Sequence, residues 1–302
     1  MRTMMVLAAL AAMPVRAAEP MPPAVAEPMP PAVAAMIEAA AGDAAALRTV
    51  AEVAKKAYPA SAAAVDARVA AITEGAKAAR LAALRQQGMF EGWSGSGELG
   101  FSTSSGNSST RSLAAALTLN KESEHWRHSL RASFDTQRNN GVTSAERFGV
   151  GYEGNYNISP RLYALLTLQF ERNRFAGFDH RFTESLGVGY RLIDTATLDL
   201  DVEGGPALRQ TRLVTGFNER RTAGRAAARL RWAIADGLLF TEAATALFET
   251  TTNTFTSETA LTAKLTDSLS ARASFSLINE SEPLPGRRAT DTITRLTLVY
   301  GF

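Results

Sequence analysis

The chain has 302 residues, 46% hydrophobic and 21% charged, with 32 Lys and Arg against 30 Asp and Glu for a net charge of +2. That length can bury a core, and the near balance of charge excludes a nucleic-acid partner held by bulk electrostatics. The absence of cysteine, with only three histidines, excludes disulfide scaffolds, thiolate metal sites and cysteine catalysis; no metal or cofactor is expected, and an oxidising compartment fits.

Residues 1–17 read as a secretory signal peptide, with Arg2 ahead of the apolar run Met4–Met13 and small residues at Val15 and Ala17. That run is too short to cross a bilayer as a helix, which needs about 20 residues, and no later run is longer. Residues 18–34 contain a duplicated Glu-Pro-Met-Pro-Pro-Ala-Val-Ala at 19–26 and 27–34, a stiff proline-rich linker. From 35 to 90 an alanine-rich periplasmic segment follows. Gly42 and Pro59 stop its helices, Asp43 and Ser61 cap the next ones, and weak stripes run through Leu47, Val50 and Val53 and through Val65, Val69 and Ile72. These helices could form a hairpin, plug a barrel, tether it to a periplasmic partner, or act as a spacer.

At Trp93 the apolar period changes from 3.6 to 2. Trp126, His128, Leu130, Ala132 and Phe134 alternate with Arg127, Ser129, Arg131 and Ser133, and the same pattern recurs through Ala164–Glu171, Leu198–Glu203, Arg225–Trp232 and Arg295–Phe302. Turn signals divide the rest into strands at 93–103, 110–120, 126–138, 146–157, 162–172, 180–193, 197–211, 219–234, 238–251, 254–266, 269–280 and 290–302. Twelve is an even number, and each segment is long enough for the roughly 9–11 residues that a tilted strand needs to cross a bilayer. A soluble sandwich and a transmembrane barrel both fit this periodicity.

Charge type separates the two. From residue 93 onward there are 21 Arg but only Lys121 and Lys264 as lysines, which suits a crowded lumen where a planar guanidinium holds several carboxylates. Aromatics agree. Trp93, Trp126, Tyr156, Tyr190, Trp232 and Tyr300 fall at the strand ends expected to be periplasmic, and Phe101, Phe134, Phe148, Phe170 and Phe182 fall towards the other ends, making two girdles. The gaps between strands are also longer on the expected extracellular side. The fold class read from these features is all-β: an antiparallel up-and-down transmembrane barrel of about twelve strands over 91–302, surrounded by outer-membrane lipid.

The chain ends Thr-Leu-Val-Tyr-Gly-Phe302, so Leu296, Leu298, Tyr300 and Phe302 alternate in a way that resembles the closing-strand signal read by the barrel assembly machinery of Gram-negative bacteria. Trp93-Ser-Gly-Ser-Gly-Glu98-Leu-Gly100, Thr103, Gly106 and Asn107, then Trp126, Phe170-Glu-Arg-Asn-Arg-Phe175, Gly187-Val-Gly-Tyr190-Arg191 and Gly204-Gly205 resemble the YdiY-like family of salt-induced outer-membrane proteins, a domain family of unknown function. The resemblance covers roughly 93–302. It implies a barrel, the outer membrane and a link to salt or osmotic stress, and it supplies no catalytic residues.

An outer-membrane lipid-modifying enzyme would need a serine, a histidine and a carboxamide or carboxylate together. His128 belongs to the lipid face and Ser129 to the opposite one, while His125 and His180 fall near strand ends, so no catalytic residue is assigned. The charges predicted to face the lumen are Glu98, Arg127, Arg131, Asp135, Arg147, Glu153, Glu171, Arg191, Asp199, Asp201, Glu203, Arg225, Arg229, Arg231, Glu258, Lys264, Arg272 and Arg295. They form either a plug of paired side chains or a narrow pore in which the strand-eight arginines oppose the acidic row on strand seven. Twelve strands lie between solid barrels of about 8 and open porins of about 16. The expectation is therefore a structural barrel or a narrow small-solute or ion pore without catalysis.

Overall fold

The structure is a computed structural model, and it describes residues 28–104, 109–283 and 288–302. The signal peptide, residues 18–27 of the linker, and Gly106 and Asn107 lie outside the described residues. Two compact units, divided between Arg80 and Leu81, make up the chain.

In the first unit α1 (Pro31–Ala39), α2 (Ala44–Ala57) and α3 (Ala62–Gln86, which continues into the second unit) pack around Val33, Ile37, Leu47, Ala51, Ala54 and Val65. The linker reading ends too late. Pro31 of the second repeat opens α1 at a first-turn position where the missing N–H costs nothing, and burial of Val33 and Ile37 holds it there. Asp43 caps α2 as expected, accepting from the N–H of Ala45 and Ala46 at 2.8 and 3.2 Å. Ser61 instead ends a short 3-10 turn, Pro59–Ser61, and is buried. Arg68 pairs with Glu38, and Lys55 with Asp66 at 2.8 Å.

The second unit carries twelve antiparallel strands closed into a barrel, each paired with its sequence neighbours and β1 with β12. They are β1 (Trp93–Ser104), β2 (Thr110–Glu122), β3 (Trp126–Asn139), β4 (Val142–Asn157), β5 (Leu162–Asn173), β6 (Phe178–Asp194), β7 (Leu198–Leu213), β8 (Asn218–Ala235), β9 (Leu238–Glu249), β10 (Asn253–Lys264), β11 (Leu269–Glu280) and β12 (Thr290–Gly301). Several run further than the periodicity indicated. β4 begins at Val142 because Asn140-Gly141, both with positive φ, makes a tight connection, and β6 begins at Phe178 after a short 3-10 turn. The expected difference in loop length between the two ends shrinks accordingly.

The alternation sorts side chains as the period dictates. Leu99, Leu117, Leu186, Val188, Leu296 and Leu298 are exposed on the outer surface, while Glu98, Arg181 and Arg295 of β1, β6 and β12 point inward. Trp126, Tyr156, Tyr190, Trp232 and Tyr300 ring one end, with Trp126 edge-on to Tyr156 at 5.1 Å. Phenylalanines ring the other, where Phe148 and Phe170 meet at 6.4 Å. Trp93 lies opposite Lys121 in register at the first end and donates its indole N–H to the Met89 carbonyl at 3.2 Å.

The closing seam is the shortest. β1 and β12 have four registered pairs, Ser96–Leu99 against Gly301–Leu298, while the other seams have ten to fifteen. Reciprocal backbone bonds between Gly95 and Phe302, at 2.9 and 3.0 Å, fasten its lower end. Leu298, Tyr300 and Phe302 are thus the residues that shut the barrel.

Candidate functional site

The interior is the candidate site, and its charges form three groups. The first crosses from β3 to β8. Glu203 on β7 is almost wholly buried and accepts from Tyr163 Oη at 3.0 Å, Arg225 at 2.9 Å and Arg229 at 2.6 Å. Arg229 also forks onto both oxygens of Glu153 at 2.7 Å each. Three strands separate β8 from β4 around the wall, so this fork spans the lumen as a chord rather than following the sheet. Asn155 fixes Glu153 at 2.7 Å. Arg127 lies over the Tyr163 ring at 4.9 Å. Nearer the tryptophan end, Arg191 donates to the Pro160 carbonyl and to Asn157, and Arg231 reaches Asp199 at 3.5 Å.

The expected ladder between β7 and β8 is therefore diagonal. In register Asp201 faces Arg229, and Glu203 faces Ala227, yet Arg229 reaches past Asp201 to Glu203 and Glu153. Side-chain length decides this: a guanidinium on a four-bond stem can span two carboxylates on different strands.

The second group lies behind the closing seam. Arg272 on β11 holds Glu258 at 2.6 Å and approaches Glu98 at 4.0 Å, and Arg131 approaches Glu98 at 3.9 Å. Arg295 on β12 bridges to Asp135 on β3 at 2.9 Å across β1 and β2, and Arg147 pairs with Glu171 at 2.8 Å. Of the predicted lumen charges, Lys264, like Arg231, has a side chain more than half exposed. It stands at the rim and pairs with Asp267 in the β10–β11 turn at 2.8 Å, because its strand ends there.

The third group, at the phenylalanine end, escaped the sequence reading. Arg181 on β6 meets Glu280 on β11 at 3.1 Å and covers the Phe178 ring at 4.1 Å. With four strands between them one way and six the other, this pair comes close to a diameter. Glu249 lies between Arg209 at 2.8 Å and Arg221 at 3.5 Å. Strand parity was the available signal: Arg181 shares a face with Arg191, and Arg209 with Glu203. Tyr163 was not singled out, although it shares its parity with Thr167 and Glu171; it is 1% exposed and inward. Gly189 makes this possible, since a Cβ there would fall 2.1 Å from the Tyr163 ring.

Between these groups lie a cavity of about 770 Å3, reached by Arg131, Arg209, Arg225, Glu258 and Glu280, and a smaller one of about 270 Å3 behind β1 and β2, lined by Glu98, Arg272 and Arg295. The lining carries both signs of charge. His128 bonds Tyr152 at 2.9 Å on the outer face while Ser129 lines the larger cavity, so the two stand on opposite faces as expected.

Outward carboxylates break the pattern, among them Glu146 on β4, Glu242 and Glu184. Glu242 on β9 stands between the Leu230 and Thr259 positions and accepts from Ser257 at 2.6 Å and from Thr259. Glu184 on β6 accepts from the Gln210 amide at 2.9 Å. Both occupy places where the alternation called for apolar side chains.

The profile of a family described as "Protein of unknown function, DUF481" matches residues 97–302. The chain belongs to that family. The uncharacterized protein YdiY of Escherichia coli (strain K12) is 23% identical over 203 residues, covering 67% of this chain and 80% of the relative. Among solved structures, the NanC porin aligns over 69% of this chain and 98% of its own at 11% identity and a TM-score of 0.44. An outer-membrane channel from Pseudomonas putida F1 aligns over 70% and 95% at 11% identity and 0.43. The translocator domain of the autotransporter NalP from Neisseria meningitidis aligns over 76% and 96% at 14% identity and 0.41.

Proposed function

We propose that this DUF481 chain is an outer-membrane barrel that passes ions or small polar solutes through a narrow, ion-paired lumen, with the tryptophan end periplasmic, and that it carries out no catalysis. The observation behind this reading is the Arg229 fork onto Glu153 and Glu203. It narrows the lumen without filling it, because polar cavities remain beside it. Charged pairs of this kind select by field as well as by width. The link to salt stress enters as part of the proposal: ionic strength weakens exposed ion pairs more than buried ones, so the Arg229–Glu153 contact, the more exposed of the two, would yield before Arg225–Glu203.

Leu296, Leu298, Tyr300 and Phe302 would serve as the signal to the assembly machinery, and the helical unit would face the periplasm and its partner there. The test is single-channel conductance of the mature protein in planar bilayers. Small steps in the wild type, and larger, more cation-selective steps in Arg229→Ala, are expected. A stably inserted barrel that is silent in both forms overturns the pore and favours a purely structural barrel, a reading to which the near-diametric Arg181–Glu280 pair lends weight.

A further inference from the structure

Outside the lumen, one group of charges has no carboxylate to hold. Arg111 on β2 and Arg138 on β3 are directly opposite in register, and both are exposed. They share the outward face with Leu113 and Phe134, and lie two and four residues nearer the phenylalanine rim, about 7–13 Å along the strand. Like charges directly opposite in a sheet repel. Inside the barrel, Arg209 and Arg221 also stand directly opposite one another, and there Glu249 sits between the two guanidinium groups. Outside, neither Arg111 nor Arg138 is in an ion pair among the described residues. Glu146, the outward carboxylate on β4, lies opposite Thr136 and pairs with neither.

The belt continues around one side. Arg172 on β5 sits opposite Phe148, Arg212 on β7 opposite His180, and Arg220 on β8 opposite Gln210. All three arginines are exposed on the outward face and free of ion pairs among the described residues. On β9, β10 and β12 the corresponding rim positions are Phe248, Asn253 and Thr290, which carry no charge.

We infer that the Arg111–Arg138 pair binds the phosphate groups of a membrane lipid in the outer leaflet, with the single arginines on β5, β7 and β8 further round the same rim. The occupant follows from level and charge. The pair stands just beyond an aromatic girdle, where headgroups lie, and a phosphate is the anion that two guanidinium forks can share. The assignment of leaflet rests on the orientation proposed above.

The full mature protein, purified in detergent, is titrated with hexa-acylated bisphosphorylated lipid A, and the retained lipid is counted by native mass spectrometry. R111Q/R138Q should weaken retention about twenty-five-fold, from roughly five-fold per arginine, with R111K/R138K restoring most of it. Arg161→Gln, at the opposite end, should change nothing. A thermal mobility shift on gels verifies that each variant is folded. Equal retention by R111Q/R138Q, equal loss in Arg161→Gln, or equal binding of phosphatidylcholine overturns the site. Orientation is read separately: Thr215→Cys in the β7–β8 connection should react with an impermeant maleimide on intact cells, and Ala196→Cys should not. Lipid retention with the reverse labelling overturns the outer-leaflet source and the orientation, while loss of retention with the expected labelling overturns the phosphate site alone.

Discussion

Replacing Arg229 by Met and Glu153 by Gln, singly and together, isolates the contact that crosses the lumen. The pair is bidentate, at 2.7 Å for both bonds, with side chains 36% and 21% exposed. A charge-assisted hydrogen bond contributes about 1.5–3 kcal/mol in a protected setting, and an exposed ion pair at most about 1 kcal/mol. Two such bonds at this partial exposure should couple by about 2 kcal/mol. Arg229→Met alone should cost about 3 kcal/mol, since Glu203 loses one of three donors but keeps Arg225 and Tyr163, so its charge is not left unpaired. Denaturant unfolding in phospholipid vesicles, followed through the fluorescence of Trp93, Trp126 and Trp232, gives the four free energies. A coupling below about 0.5 kcal/mol would refute the argument, because the pair would then behave as one solvated in a wide channel.

Three further expectations use other parts of the molecule. Glu242→Leu should raise unfolding stability in vesicles by about 1 kcal/mol, because a carboxylate on the lipid face costs more than Ser257 and Thr259 return; unchanged or lower stability would mean that the face is covered. Gly189→Ala should displace Tyr163 from Glu203 and cost about 2–3 kcal/mol, read by the same unfolding assay, whereas Gly224→Ala, with open space around it, should cost little. Arg85, in the last turn of α3, hydrogen-bonds Glu124 in the β2–β3 turn, and that bond holds the Glu124 carboxyl below its usual range. A depressed folded-state value means that the contact is complete above the unfolded value and fails as pH falls through the folded one. A label at Ala83→Cys should gain mobility below the usual carboxylate range, and Glu124→Gln should show that mobility already at neutral pH.

The strands were legible because period 2 is a geometric property of the chain. Trp126–Phe134 needs no tertiary information to show two faces, and strand parity alone placed Glu98, Arg131 and Arg295 inward. Which carboxylate an arginine holds was not legible. Asp201 faces Arg229 in register, but the guanidinium passes it for Glu153, a residue 76 positions away. That choice depends on barrel curvature, which brings β4 within reach of β8. The exceptions to alternation failed for a second reason: Glu242 and Glu184 are satisfied by Ser257, Thr259 and Gln210 on adjacent strands, so nothing within their own strands marks them as tolerable.

The excess of arginine over lysine now has a structural cause. Arg229 serves Glu153 and Glu203, Arg272 serves Glu258 and Glu98, Arg221 serves Glu219 and Glu249, and Arg209 serves Glu249 and Thr254. Each guanidinium lies within reach of acceptors that no single ammonium position approaches as well, so one cation ties two or three strands together. The two barrel lysines stand where a point charge suffices. Lys121 caps the Gly88 and Met89 carbonyls at 2.5 and 2.9 Å, and Lys264 meets a single carboxylate three residues along. Changing Arg229 to Lys should therefore keep the charge of the lumen and still lose one of its two acidic partners, which predicts a conductance close to that of Arg229→Ala with the selectivity of the wild type. Conductance that matches the wild type instead would mean that charge alone, and not the fork, sets the constriction.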